Sequence, residues 1–164
     1  SIEKNMVLLG FIGFLDPPKE SAKESIEKLN KAGIRVIVLT GDNSEVTRCV
    51  CNKVGIKSKN IVLGSEIDKL QDLAVIRLLK KTNIFAKLSP IQKARIVRLL
   101  KDSGNIVGYM GDGINDSPSL TNSDVGVSVD TAVDIAKESA DIILLEKDLN
   151  VLLDGVTERK KNFW

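Results

Sequence analysis

The chain of 164 residues contains no histidine. That excludes imidazole-based catalytic triads, histidine zinc sites and histidine acid–base chemistry. Aromatic residues make up only 4%, and no basic stripe interleaved with aromatics occurs, so a nucleic-acid partner is not expected. Long apolar runs are missing as well. The longest, Met6 to Leu15, is ten residues with two glycines, too short to span a bilayer and suited to a buried strand. No signal peptide is recognisable. There are two cysteines, Cys49 and Cys51, two residues apart on a predicted helix. They point about 200° apart around its axis, so they cannot grip one ion together and are expected to be reduced thiols. The chain opens at Ser1 without an initiator Met, as expected of a processed or excised piece.

What is present is ordinary for one soluble domain: 43% apolar residues, 28% charged residues and a formal charge of +2. β-rich runs alternate with amphipathic helices. After the strand Met6 to Leu15, Asp16 can cap a helix with Pro17 at its first position. That helix runs to about Ala32, with Ala22, Ile26 and Leu29 on one stripe and Gly33 ending it. "IRVIVLT", Ile34 to Thr40, reads as a fully buried strand. Ser44 can cap the next helix, with the stripe Val46, Val50, Val54 and the stop Gly55. Asn60 to Gly64 reads as a short strand or turn, Asp72 to Lys81 as a helix, and Asn83 to Ala86 as a strand. Ser89, Pro90 and Gln92 form a capping box before "IQKARIVRLLK". Further strands are expected at Asn105 to Met110, Val125 to Val129 and Asp141 to Leu145. Helices are expected near Ile114, over Ala132 to Glu138 and from about Leu149. Such alternation implies a doubly wound, mostly parallel α/β sheet, Rossmann-like in layout.

In that layout ligands bind at the carboxyl ends of strands. "TGD", Thr40 to Asp42, follows one strand and "GDGIND", Gly111 to Asp116, follows another. Glycine lets backbone N–H groups approach a ligand, and the following helices aim their N-terminal dipoles at the same edge. The combination suits a phosphate. Asp112 and Asp116 add oxygen ligands for a hard cation such as Mg²⁺. An EF-hand reading of the same stretch fails, because Ile114 stands where a ligand belongs and Ser117 where the glycine belongs. A tight turn and a first-turn carboxylate are the bland alternative for a lone "GDG"; the pairing of the two turns favours a site. Lys93 shares a stripe with Val97 and Leu100, so it either reaches the same edge or snorkels along the core to water.

"TGD", "FAKLSPIQK" and "GDGINDSP", in this order, resemble the phosphorylation domain of P-type ATPases, cation pumps of the haloacid dehalogenase-like superfamily. "FLDPPKES" resembles the same domain, and "DTAVDIAKESADIILLEKDLNVL", Asp130 to Leu152, is similar to magnesium-importing members. The likeness covers residues 1–164 as the C-terminal portion of that domain. It implies that Thr40 and Gly41 hold the transferred phosphoryl group with Asp42 beside them, that Lys93 neutralises its charge, and that Asn115 hydrogen-bonds nearby. It also implies Asp112 as the Mg²⁺ ligand and Asp116 as support for metal and phosphate. Lys87, where many relatives carry Arg, would contact ATP. "DSPSL" stands in place of the commoner "DAPAL", and its two extra hydroxyls are expected to be mild.

The family phosphorylates an aspartate in a D-K-T-G-T motif, which this sequence lacks. Asp130 follows a strand and precedes Thr131, but the next residues, Ala132, Val133 and Asp134, exclude that assignment. The resemblance therefore implies that the acceptor strand lies upstream, leaving a gap or an abnormal pairing in the sheet between the strands ending at Thr40 and Met110. It further implies an isolated chain without phosphoenzyme activity. Its partners would be a nucleotide-binding domain, an actuator domain and transmembrane helices, on the cytoplasmic side of a membrane. "ERKKNFW" at the C-terminus resembles a membrane approach, although a solvated helix end has the same composition. Two other readings stay open: a soluble Mg²⁺-dependent phosphatase, which would need a D-x-D motif absent here, and a non-catalytic Mg²⁺ or phosphate-binding module.

Overall fold

The computed structural model describes residues 17–57, 60–146 and 149–151. The expected strand Met6 to Leu15, the cap Asp16 and the C-terminal basic–aromatic tail lie outside the described residues. Helices are α1 Ser21–Lys31, α2 Ser44–Lys53, α3 Gly64–Ile67, α4 Asp72–Leu79, α5 Pro90–Asp102, α6 Ser117–Asn122 and α7 Asp134–Glu138. Strands are β1 Val38–Leu39, β2 Val62–Leu63, β3 Ile84–Ala86, β4 Gly108–Met110, β5 Val125–Val129 and β6 Ile142–Leu144. Residues 149–151 are helical.

Every strand pairing among the described residues is parallel, in keeping with the alternation of strand and helix. Among the described residues, however, the strands form two sheets rather than one, ordered β1-β3-β2 and β4-β5-β6. β1 and β4 are both edges. Leu39 of β1 packs into the core that contains Tyr109 of β4, so these edges belong to facing parts of the molecule.

The first sheet is centred on β3, whose Ile84, Phe85 and Ala86 are all buried because strands flank it on both sides. Phe85 joins Ile67, Val75, Leu79, Ile96 and Leu99 in one core. The second core gathers Val97, Tyr109, Leu120, Val127, Val129 and Leu144. Helix α5 serves both: Ile96 and Leu99 face one, Val97 the other. It is the most completely specified helix. Ser89 accepts from the Gln92 N–H, the Gln92 side chain accepts from the Ser89 N–H, and Pro90 opens the first turn.

Several boundaries differ from expectation. α1 begins at Ser21 with Glu20 at its N-cap, four residues beyond Pro17, although Ile26 and Leu29 are buried as the stripe predicts and Gly33 ends the helix at φ +81°. Asn43, not Ser44, caps α2, its side chain accepting from the Glu45 and Val46 N–H groups. The buried residues of α2 are Thr47 and Cys51, one residue round from Val46 and Val50, which are exposed; Val54, the third member of the expected stripe, is buried as expected at the helix C-cap. Cys49 is exposed and Cys51 buried, on opposite sides as predicted, and burial pushes the Cys51 thiol up. "IRVIVLT" is only half-buried and pairs over two residues; among the described residues β1 has a strand on one side alone. β4 likewise pairs from Gly108 onward, with Ile106 left exposed.

Candidate active site

The first turn closes on itself. The Thr40 hydroxyl donates to Asp42 Oδ2 at 3.1 Å and accepts from the Asp42 N–H at 3.1 Å. Two backbone bonds dock this turn on the loop ahead of α5: Lys87 N–H donates to the Asp42 carbonyl at 2.8 Å, and Leu88 N–H to the Thr40 carbonyl at 3.0 Å. Lys87 adopts φ +52° to make this connection, a left-handed conformation unusual for a side-chain-bearing residue. Its side chain is exposed. Gly41 and Asp42 are exposed too.

The second turn is organised around one carboxylate. Lys93, on the first turn of α5, donates from Nζ to Asp116 Oδ1 at 2.8 Å. The two side chains are only 11% and 13% exposed, so the lysine does not snorkel to water. Tyr109 Oη donates to the same Oδ1 at 2.7 Å, and Gly113 N–H to Oδ2 at 3.3 Å. Burial alone would push the Asp116 carboxyl up, but Lys93, Tyr109 and the Gly113 N–H outweigh it and hold the group below the usual carboxylate range. The reverse happens to Tyr109. Burial and the adjacent Asp116 charge push its phenol up, with the neighbouring Ser119 hydroxyl opposing the shift. A Cβ on Gly111 would lie 2.5 Å from Asp116 Cβ, so only glycine admits this close approach.

The structure thus brings Lys93, Asp116 and the Gly111–Gly113 turn into one cluster, with Asp112 and Asn115 exposed at its rim. Thr40 and Asp42 line a hollow of about 100 Å³ with Val38 and Val50, and Gly111 and Asp112 line another of about 180 Å³ with Met110 and Val129. Both are below the roughly 300 Å³ of an organic-ligand pocket and suit an inorganic group. The two turns are linked through the start of α5. The helix after the second turn begins as a single 3₁₀ turn and α6 has six residues, so charge there comes from side chains more than from a helix dipole.

Among the described residues no cluster of three or more His, Cys, Asp or Glu residues could cage a metal. Two exposed-to-half-buried aspartates fit a cation that also binds phosphate and water, the mode Mg²⁺ favours, rather than a protein-only cage.

Sequence reasoning missed Tyr109 and the demand for glycine at Gly111. A signal existed: tyrosine on an otherwise aliphatic strand needs a partner for its hydroxyl. It also missed α3, whose Gly64 lies where a Cβ would collide with the Lys87 carbonyl and Gln92 Oε1. Ser117 pairs its hydroxyl with Ser139, while Ser119 Oγ is fully buried without a hydrogen bond of standard geometry.

A profile for haloacid dehalogenase-like hydrolases matches residues 3–124. The chain is 50% identical over 161 residues to the "Magnesium-transporting ATPase, P-type 1" of Escherichia coli and of Salmonella typhimurium, covering 98% of this chain and 18% of each relative. It is 36% identical over 160 residues to the "Calcium-transporting ATPase 1" of Bacillus cereus, covering 96% of this chain and 18% of that protein. The chain therefore spans under a fifth of the length of these relatives. A solved catalytic domain of a CPx-ATPase, studied for conformational change upon nucleotide binding, superposes with a TM-score of 0.63 and 31% identity, over 84% of this chain and 44% of that one. A parallel α/β fold, paired glycine turns at strand ends and a matched family profile lead to one conclusion: this chain belongs to the haloacid dehalogenase-like hydrolases.

Proposed function

We propose that the chain is the later part of the phosphorylation domain of a P-type ATPase that transports magnesium. The observation that carries this reading is the Lys93–Asp116 pair, 2.8 Å long and mostly shielded, beside the Gly111–Gly113 turn. An ammonium has three donors, and Asp116 takes one, leaving others for an anion. Lys93 neutralises charge on the transferred phosphoryl group of ATP, while Thr40 and Gly41 hold its oxygens with Asp42 beside them. Asn115 hydrogen-bonds at the rim, and Lys87 contacts the nucleotide. Asp112 and Asp116 hold Mg²⁺, which when bound offsets phosphate charge.

Phosphoryl transfer of this kind depends on positioning and charge neutralisation. The acceptor aspartate lies upstream of this chain in the complete protein. Among the described residues β1 and β4 each pair on one side only, which supports a strand entering between them. A nucleotide-binding domain, an actuator domain and transmembrane helices complete the pump, with this domain on the cytoplasmic side. No helix of the described residues is itself long and apolar enough to cross a membrane. Identity of 50% to two magnesium transporters, against 36% to a calcium transporter, supports magnesium as the cargo.

In the complete pump, Asp112→Ala should abolish phosphoenzyme formed from γ-labelled ATP and trapped in acid, and Lys87→Ala should lower it only partly. Normal labelling of Asp112→Ala would refute the metal role. The isolated chain should remain unlabelled, and stable labelling of it would refute the assignment of the acceptor to an upstream segment.

A further inference from the structure

Asp116 is held by more than its salt bridge. Its Oδ1 accepts from both Lys93 Nζ and Tyr109 Oη, at 2.8 and 2.7 Å, whereas Oδ2 faces the Gly113 N–H. Tyr109 is itself fixed: it is 8% exposed, lies on β4, and its ring packs in the core with Val97, Leu120 and Val127. Ser119, fully buried, sits beside the phenol.

We infer that Tyr109 is a positioning residue, whose hydroxyl fixes the rotation of the Asp116 carboxylate so that Oδ2 is the oxygen turned toward the Asp112 turn. A carboxylate held by one lysine can swing about its terminal bond, because that torsion is soft and an ammonium bonds equally well over many directions. A second donor on the same oxygen removes that freedom. The rigid phenol stays in place even when Lys93 redirects its remaining protons to an anion. Gly111 closes the other side, since its missing Cβ leaves room for Asp116 in this one arrangement. The inference rests on the proposed role of the site in phosphoryl transfer, and assigns to β4 a task besides pairing with β5.

The test uses the complete pump in membranes, with Tyr109→Phe, which keeps the packed ring and removes only the hydroxyl. Loss of one hydrogen bond to a charged group corresponds to about ten- to a hundredfold in rate. The expected result is a fall of that size in phosphoenzyme formation per folded pump at saturating ATP. The ATP concentration for half-saturation should stay within about twofold, and the thermal midpoint should fall by only the few degrees that one lost hydrogen bond accounts for. Equilibrium binding of orthovanadate, a phosphate mimic that needs no turnover, should weaken by a similar factor. Wild-type rate and wild-type vanadate binding in Tyr109→Phe would overturn the inference. So would a loss shared equally by ATP half-saturation and thermal midpoint, which marks general loosening. Asp112→Ala run in parallel separates the two levels. If it is silent while Tyr109→Phe is normal, only the positioning inference fails. If Asp112→Ala labels normally, the reading of the site itself fails.

Discussion

The two glycine turns have the same sequence logic and different physical construction. Thr40–Asp42 is closed by its own side chains and backbone, stands exposed, and would give a Cβ on Gly41 only an ordinary 3.5 Å contact with the Leu88 carbonyl. The turn after β4 wraps a shielded carboxylate held by three donors, and a Cβ on Gly111 would collide with it. Glycine in the first turn is thus free to serve a ligand, whereas Gly111 in the second is required by the fold. A motif match alone cannot make this distinction; the neighbours of the missing Cβ can.

Substitutions can break or sharpen that contrast. The largest effect is expected from Lys93→Met, which leaves the Asp116 charge shielded and without its cation. Destabilisation by about 2–4 kcal/mol should appear in chemical denaturation, together with loss of phosphoenzyme in the complete pump. Gly111→Ala comes next, at about 1–3 kcal/mol, since Asp116 must shift to admit the methyl. If it proves neutral, the second turn is no more constrained than the first. Asp72→Asn offers a control away from both turns. Hydrogen bonds from Arg95 and Arg98 hold the Asp72 carboxyl below its usual range. Its folded form therefore stays charged where the unfolded chain begins to bind protons, below about pH 4. Its contribution is complete above that pH and fades as pH falls through the lowered value. Thermal unfolding between about pH 3 and 6 should show a shallower acid loss in Asp72→Asn than in the native chain. Smallest of all, Gly41→Ala should change stability by less than about 0.5 kcal/mol while still slowing phosphorylation. Equal stability losses at Gly41 and Gly111 would erase the contrast.

Much of this was legible in the chain. Periodicity located the helices apart from the short α3, and the capping box at Ser89–Gln92 set the start of α5 to the residue. The stripe Lys93–Val97–Leu100 left two courses open for the lysine, the site edge or water, and the contact with Asp116 decides between them. Local pattern failed where a tertiary neighbour decided the outcome. Val46 and Val50 have the spacing of a buried face, yet Thr47 and Cys51 occupy it, Cys51 packing in one cluster with Ile26 and Ile84. Asn43 outcompeted Ser44 as a cap by offering an oxygen to two N–H groups. Tyr109 read as one more strand residue, since its partner stands seven positions away across a turn whose path spacing does not specify.

Helix α5 has a consequence of its own. Its two flanks are buried in different cores, and its first turn carries Lys93. A repacking anywhere along either flank tilts the same rod, and the rod's tip is an ammonium group. Substitutions at Ile96 or Val97 should therefore register as displaced charge beside Asp116 before they register as unfolding.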